Sequence, residues 1–192
     1  VLNDLKLLEP KWAPVIDNAI ATNNWFFEDE DALASIRRVI GLAKVRATVQ
    51  YAEDLLASDK DQKVVIFGLH RVVLKYMAEF LRKYGAKIIY GGSNPTRRQG
   101  YIDDFQSKAE SRVMLCQIKA AGTGITLTAA NHLLLMEPSW VPADNEQAIM
   151  RVHRIGQTCN TVARYVTLAN SFDEMVNNVL RRKTQLLAEI FA

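Results

Sequence analysis

The architecture of this chain is set by residues 63–85, KVVIFGLHRVVLKYMAEFLRKYG. Residues 63–68 form a short apolar run rich in β-branched side chains, which is typical of a strand that is buried on both faces. Residues 70–85 then place apolar side chains at the three- and four-residue spacing of a helix, and Gly85 marks its end. A buried strand followed by an amphipathic helix predicts the first half of a βαβ unit.

The same alternation continues along the chain. Further strands are predicted at residues 87–91, 112–117, 131–137 and 161–169, and further helices at residues 95–106 and 142–156. Strands that alternate with helices of about 10–15 residues predict an α/β fold, a three-layer domain with a mostly parallel sheet. Ligands of such sheets bind beyond the carboxyl ends of the strands. The loops GGSN (91–94), KAAGTG (119–124) and EPSW (137–140) are therefore candidates for chemistry.

Residues 33–58 have helical spacing and no strand pattern. We expect a helical lead-in over residues 1–60, an α/β core over 61–170 and a C-terminal helix over 171–192. Because the first residue is Val1 and not Met, we also expect the chain to be a piece of a longer protein, with the lead-in connecting to a preceding domain.

Composition restricts the function classes. Of the 192 residues, 49% are hydrophobic and 23% charged, which is ordinary for a folded soluble domain and excludes a disordered chain. The net charge of +3 is too small to indicate nucleic-acid binding by itself. Cys116 and Cys159 lie far apart, so no disulfide framework and no metal site is predicted, and we expect an intracellular protein without a membrane span.

Three polar residues share one stripe of the helix predicted at 142–156. Gln147, Arg151 and Arg154 are spaced i, i+4 and i+7. The stripe is compatible with a solvated face, and Gln147 also fits the third position of a capping box that begins at Asp144. Alternatively, two guanidinium groups at this spacing suit a phosphoryl group on which charge develops during transfer.

The residues around this stripe decide between these interpretations. Residues 119–157 contain the blocks GTG, TLTAA, WVP and QAIMRVHRIGQ in order. This segment resembles the C-terminal RecA-like lobe of Swi/Snf-type helicase-related ATPases. Residues 90–105 are similar to a further block of that family, although Gly91 stands where Asp is usual, and residues 38–56 resemble its lead-in helix.

The resemblance implies roles for individual residues. Arg151 and Arg154 would be catalytic, reaching the γ-phosphate of ATP, with Gln147, Gly122 and Gly124 binding the nucleotide. DNA contacts are implied for seven residues: Ser93, Arg98, Lys119, Thr123, Thr126, Thr128 and Trp140. By themselves the glycines also fit an ordinary turn, and Trp140 also fits an aromatic side chain packed on its own loop.

The sequence contains no G-x-x-x-x-G-K-[ST] loop and no D-E-x-H segment. We therefore expect ATP and Mg²⁺ to be held mainly by a first RecA-like lobe outside this chain. The family implies an ATPase that moves on double-stranded or branched DNA, against nucleosomes or polymerase, in the nucleus of a eukaryote or the nucleoid of a bacterium. The alternatives are a non-catalytic binding module and an RNA helicase, the latter disfavoured by Gln157 where those proteins usually carry arginine.

Overall fold

The computed structural model describes residues 13–22, 30–121 and 124–191. The chain forms two compact units, one of Val45–Val166 and one of Val1–Lys44 with Thr167–Ala192. The helices are α1 (Ala13–Thr22), α2 (Glu30–Ser58), α3 (Arg71–Phe80), α4 (Pro95–Ser107), α5 (Ile118–Ala121), α6 (Pro142–Ile149) and α7 (Phe172–Phe191). The strands are β1 (Val64–Gly68), β2 (Lys87–Ile89), β3 (Val113–Gln117), β4 (His132–Leu135) and β5 (Val162–Tyr165).

The larger unit is built on one five-stranded sheet. Its strand order is β2-β3-β1-β4-β5, and all four neighbouring pairs are parallel. In the centre, Val65 of β1 lies opposite Met114 of β3 and Leu133 of β4. The predicted α/β class with a mostly parallel sheet is therefore confirmed. The last strand is shorter than predicted, because it ends at Tyr165 and not at residue 169.

The sheet is covered on both faces. Every residue of β1 is buried, which explains why this strand reads as a continuous apolar run. On one face, Val65 and Phe67 belong to a core cluster that also takes in Phe105 of α4 and Ala148 of α6. Because side chains alternate along a strand, the residues between them point to the other face, where α3 packs on the sheet.

Gly85 ends the α3 region, as the sequence predicts. The α-helix itself stops at Phe80, and a 3₁₀ turn over Arg82–Tyr84 continues to Gly85. Gly85 has a left-handed φ of +66°, and a Cβ atom there would lie 2.2 Å from the carbonyl oxygen of Glu110. The position therefore needs glycine for two reasons, the backbone conformation and the close approach of a neighbouring chain segment.

The side chain of Lys63 caps the C-terminal end of α4. Its Nζ donates to the carbonyl oxygens of Phe105, at 2.5 Å, and Lys108, at 2.7 Å. These carbonyls belong to the last turn of a helix and the residue after it, where helical backbone donors run out. The Lys108 carbonyl also accepts from the Ser111 amide, at 3.3 Å. Burial lowers the pKa of this lysine below its ordinary value.

The smaller unit contains a buried ion pair. Lys44 Nζ lies 2.7 Å from Asp173 Oδ2, and the two side chains are 3% and 15% exposed. The same oxygen accepts a hydrogen bond from the Leu168 amide at 3.1 Å, so it also fixes the turn that precedes α7.

The helices predicted in the lead-in and at the C-terminus are present in the described residues, as α2 and α7. The boundaries 1–60, 61–170 and 171–192 stay a prediction.

Two glycine substitutions separate backbone strain from steric overlap. Gly92 also has a left-handed φ, +83°, but a Cβ there meets nothing within 4 Å. We expect Gly92→Ala to lower the free energy of unfolding by about 1–2 kcal/mol, and Gly85→Ala by about 2–5 kcal/mol because of the added overlap. Denaturant unfolding of both variants measures this difference, and equal losses would contradict the close approach at Gly85.

Candidate functional site

The loop before α6 is held by a compact set of hydrogen bonds. The side chain of the buried Asn145 accepts from the Ser139 amide at 2.8 Å and donates to the Ser139 carbonyl at 2.9 Å. Ser139 Oγ donates to Asp144 Oδ2 at 2.7 Å. The half-buried Trp140 therefore follows a residue whose backbone is fixed on both sides.

The start of α6 at Pro142 agrees with the predicted helix, but its N-cap differs from the capping-box alternative. Val141 is the N-cap, and Pro142 occupies the first turn, where the missing amide hydrogen costs nothing. Asp144 therefore lies inside the first turn and is not the N-cap, so the capping box expected with Gln147 is wrong. Gln147 itself is exposed on α6.

The end of α6 also differs. The predicted helix runs to residue 156, whereas α6 ends at Ile149 and residues 150–156 form turns. In a continued helix the Arg151 carbonyl would accept from the amide four residues later. Here it accepts from the Leu127 amide at 2.8 Å instead. Arg151 and Arg154 consequently do not share a helical stripe with Gln147.

The segment of residues 151–157 is joined to the segment of residues 124–130. Besides the backbone bond between Leu127 and Arg151, the exposed Arg154 donates from Nη1 to Thr126 Oγ1 at 3.1 Å. The backbone amide of Gln157 donates to the Arg154 carbonyl at 2.9 Å and closes a turn. Within this turn, Gly156 has a φ of +100°. Two blocks that are about 25 residues apart in sequence thus form one surface.

The turn at residues 128–130 is held from two sides by glutamines. Gln106 of α4 donates to Thr128 Oγ1 at 3.1 Å and accepts from the Ala129 amide at 2.8 Å. Gln157 donates to the carbonyl oxygens of Thr128, at 3.1 Å, and Ala130, at 2.7 Å. The predicted DNA residue Thr128 is therefore tied to the protein through both its hydroxyl and its carbonyl.

The glycine-rich block is described only in part. Gly124 is exposed and has a left-handed φ of +76°, with open space around the position of a Cβ. Lys119 is exposed on α5, just after β3. Gly122 and Thr123 lie outside the described residues, so their proposed contacts stay predictions.

Ser93 and Arg98 lie in a different region, beside β2. They line a cavity of about 360 Å³ together with Lys87, Tyr90, Arg97 and Tyr101. Ser93 Oγ accepts from the Tyr90 amide at 3.2 Å, and the Arg71 guanidinium stacks on the Tyr90 ring at 3.8 Å from its centre. Cations and aromatic rings thus alternate around this opening, an arrangement compatible with nucleic-acid phosphates and bases.

Glu137 is a buried carboxylate to which no sequence motif assigns a role. It is 5% exposed at the carboxyl end of β4. Its Oε2 accepts from the amides of Leu69 and His70, each at 3.0 Å, and its Oε1 lies 2.6 Å from His70 Nδ1. A buried carboxylate needs hydrogen-bond donors as partners. Because Glu137 directly follows an apolar strand, its place in the sequence could have indicated a buried, hydrogen-bonded carboxylate.

The predicted site residues therefore divide between the two edges of the sheet. Ser93 and Trp140 follow β2 and β4, at the carboxyl edge. Residues 128–130 precede β4, and Gln157 binds them there, at the amino edge. The expectation that the chemistry lies in the loops after the strands thus does not cover the arginine segment, which follows a helix and not a strand.

Both cysteines are free thiols, Cys116 buried and Cys159 exposed. Within residues 13–22, 30–121 and 124–191, no group of three or more His, Cys, Asp or Glu could hold a metal ion. No helix in these same ranges has the length and apolar character needed to cross a membrane.

Comparison with known proteins identifies the family. The model of the helicase conserved C-terminal domain matches residues 47–156, more than half of the chain. The chain is 36% identical over 151 residues to the Drosophila melanogaster SWI/SNF-related matrix-associated actin-dependent regulator of chromatin subfamily A-like protein 1. It is 33% identical over 147 residues to the Mus musculus DNA annealing helicase and endonuclease ZRANB3. The matches cover 77% and 76% of this chain but only 20% and 14% of those relatives.

Two solved structures have the same fold as this chain. The C-terminal part of the Fun30 ATPase domain superimposes with a TM-score of 0.66 at 27% identity, covering 71% of this chain and 44% of that one. The Sulfolobus solfataricus SWI2/SNF2 ATPase core domain, at 23% identity, has the same fold with a TM-score of 0.66, covering 84% of this chain and 36% of that one. The chain belongs to the helicase conserved C-terminal domain family, in its Swi/Snf-type branch.

Replacing Glu137 tests its bracing role, which is to hold the backbone amides of Leu69 and His70. Glu137→Leu leaves the Leu69 and His70 amides without their acceptor, so we expect the free energy of unfolding to fall by about 3 kcal/mol. Glu146→Leu removes the same charge from an exposed position of α6 and should change stability little. Thermal unfolding of both variants is the measurement, and similar midpoints for the two would contradict the bracing role.

Proposed function

We propose that this chain is the second motor lobe of an ATP-driven translocase that moves on double-stranded DNA. The observation that carries the proposal is the hydrogen-bonded surface formed by residues 124–130 and 151–157. The family resemblance assigns DNA contacts to the first segment and phosphate contacts to the second. A motor needs its nucleotide and DNA contacts to move together, and this surface joins the two assigned segments directly.

The proposed phosphate ligands are Arg151 and Arg154. The guanidinium of Arg154 is exposed, and its hydrogen bond goes to the neutral hydroxyl of Thr126. A hydroxyl does not neutralise a guanidinium, so a γ-phosphate brought to this surface would meet its positive charge. Guanidinium groups in this role stabilise the charge that develops on a transferring phosphoryl group.

The described residues fit ATP better than they fit Mg²⁺. Arginines, an exposed Gln147 and the positive-φ turn at Gly124 can bind phosphate or nucleotide oxygens. Mg²⁺ prefers carboxylate oxygens, and the described part of the chain contains no cluster of them. We therefore assign Mg²⁺, and most of the ATP contacts, to a first lobe that is not in this chain.

The DNA contacts proposed are to the phosphate backbone. Lys119, Thr126 and Thr128 supply one set with the undescribed Thr123. Ser93 and Arg98 supply a second set at the cavity beside β2, and Trp140 lies on a rigid loop at the same edge of the sheet. Contacts of this kind give binding without sequence preference and with strong dependence on salt.

The names of the relatives support the cellular setting that we propose. They are described as a regulator of chromatin and as a DNA annealing helicase, which agrees with chromatin or branched DNA as the substrate. Because the chain spans a fifth or less of their length, the partner lobe, nucleosome or polymerase contacts and a nuclear location are inferred from the family. A non-catalytic binding module is the competing proposal, and the following experiment separates the two.

Arg154→Ala tests the phosphate role. In the protein that contains this chain and a first lobe, we expect DNA-stimulated ATP hydrolysis to fall by about 10³-fold or more, with nucleotide affinity largely kept. Arg181→Ala, which removes an exposed arginine of α7, is the matched control and should leave hydrolysis unchanged. Full activity of the Arg154 variant would refute the role, and absence of hydrolysis in the unaltered protein would favour the non-catalytic module.

Arg98→Ala tests the second set of DNA contacts. Its loss should weaken duplex binding for all sequences alike and reduce the slope of log affinity against log salt by about 1. Arg82→Ala is the control, because Arg82 is exposed in the 3₁₀ turn after α3 and does not line this cavity. Fluorescence anisotropy at several salt concentrations measures both slopes, and an unchanged slope for Arg98→Ala would remove it from the interface.

A further inference from the structure

Gln157 joins three stretches of backbone through one side chain. Its Nε2 donates to the carbonyl oxygens of Thr128 and Ala130, at 3.1 and 2.7 Å, with a longer contact of 3.4 Å to Val152. Its Oε1 accepts from the Cys159 amide at 2.9 Å. The side chain is half-buried, so these bonds are partly shielded from water.

This pattern suits a glutamine in particular. A primary amide offers two N–H donors on one nitrogen and an acceptor oxygen beside it. A glutamate of the same shape could accept from Cys159 but would place negative oxygens against two carbonyl groups. An alanine would leave both carbonyls without this donor.

The bonds of Gln157 run from the proposed DNA contacts to the proposed phosphate ligands. On one side they hold residues 128–130, which begin two positions after Thr126. On the other, the Gln157 backbone amide binds the carbonyl of Arg154, whose guanidinium returns to Thr126. The chain therefore closes a loop of hydrogen bonds, and a shift of residues 126–130 would carry the turn that bears Arg154 with it.

We propose that Gln157 is a positioning residue that couples DNA binding by residues 126–130 to the placement of Arg154 for ATP hydrolysis. The proposal rests on the function proposed above. It assigns Gln157 no contact with either ligand. Its effect on the rate passes through the backbone of the segment that carries the arginine.

Gln106 provides a matched control within the same chain. It holds the same turn from α4, through Thr128 Oγ1 and the Ala129 amide. Its side chain binds the Thr128 hydroxyl and the Ala129 amide, whereas that of Gln157 binds the Thr128 and Ala130 carbonyls. If a firmly held turn were all that hydrolysis required, losing either glutamine would have the same effect.

The experiment compares Gln157→Glu, Gln157→Ala and Gln106→Ala in the protein that contains both lobes. ATP hydrolysis is measured with and without a saturating duplex, together with KM for ATP and the thermal midpoint. We expect both Gln157 variants to lose about tenfold of the DNA-stimulated rate, while hydrolysis without DNA and KM stay within about twofold. Gln106→Ala should keep most of its DNA stimulation.

Three results would overturn the proposal. One is unchanged DNA stimulation in both Gln157 variants. Another is an equal loss in Gln106→Ala, which would mean that holding the turn is sufficient. The third is an equal loss of hydrolysis with and without DNA in the Gln157 variants, which would indicate a fault in the arginine site or the fold. If the unaltered protein does not hydrolyse ATP with DNA, the proposed function fails and not the role of Gln157 within it.

Discussion

The hydrogen bond from the Leu127 amide to the Arg151 carbonyl, 2.8 Å long, is the interaction on which the proposed functional surface depends. α6 ends at Ile149, and this bond takes a carbonyl that a continued helix would use, joining residues 151–157 to the segment of Leu127. The turn presents the guanidinium of Arg154 at Thr126 and the amide of Gln157 at residues 128–130. This backbone contact joins the two segments to which nucleotide and DNA contacts are proposed.

The sheet makes this contact possible. β4 lies between β1 and β5. The segment that leads into β4 and the segment that leads into β5 therefore end side by side at the amino edge. The Val162 amide donates to the Asn131 carbonyl there, at 2.8 Å. Parallel neighbours require that each return segment end at the same edge, so residues 124–130 and 151–157 approach each other as a consequence of strand order.

Local sequence patterns were sufficient for most of the architecture. The continuous apolar run of β1, the periodicity of α3 and the position of Gly85 each reflect burial or backbone conformation near that residue. They did not predict the contact between residues 124–130 and 151–157, because Leu127 lies far from Arg151 in sequence and only the folded sheet brings it near. The capping box expected at Asp144 failed for a local reason: Pro142 occupies the first turn of α6, which makes Val141 the N-cap.

The same distinction holds for the site. Motif resemblance selected Arg151, Arg154 and Gln147 but could not reveal that Gln147 stands on the helix while the arginines follow in turns. Glu137, Gln106 and Gln157 act through backbone atoms of distant segments, and such partners leave no periodicity in the sequence. For Glu137 alone, a carboxylate at the end of a buried strand, burial by itself was a usable indication.

A structure of the protein with both lobes, bound to duplex DNA and a non-hydrolysable ATP analogue, would directly test the surface formed by residues 124–130 and 151–157. We predict that the Arg154 guanidinium lies within hydrogen-bonding distance of the γ-phosphate, that residues 126–130 contact DNA phosphates, and that the Leu127–Arg151 bond is intact. A closed, DNA-bound state in which Arg154 faces solvent, or in which the two segments have separated, would contradict the proposal that they work as one surface.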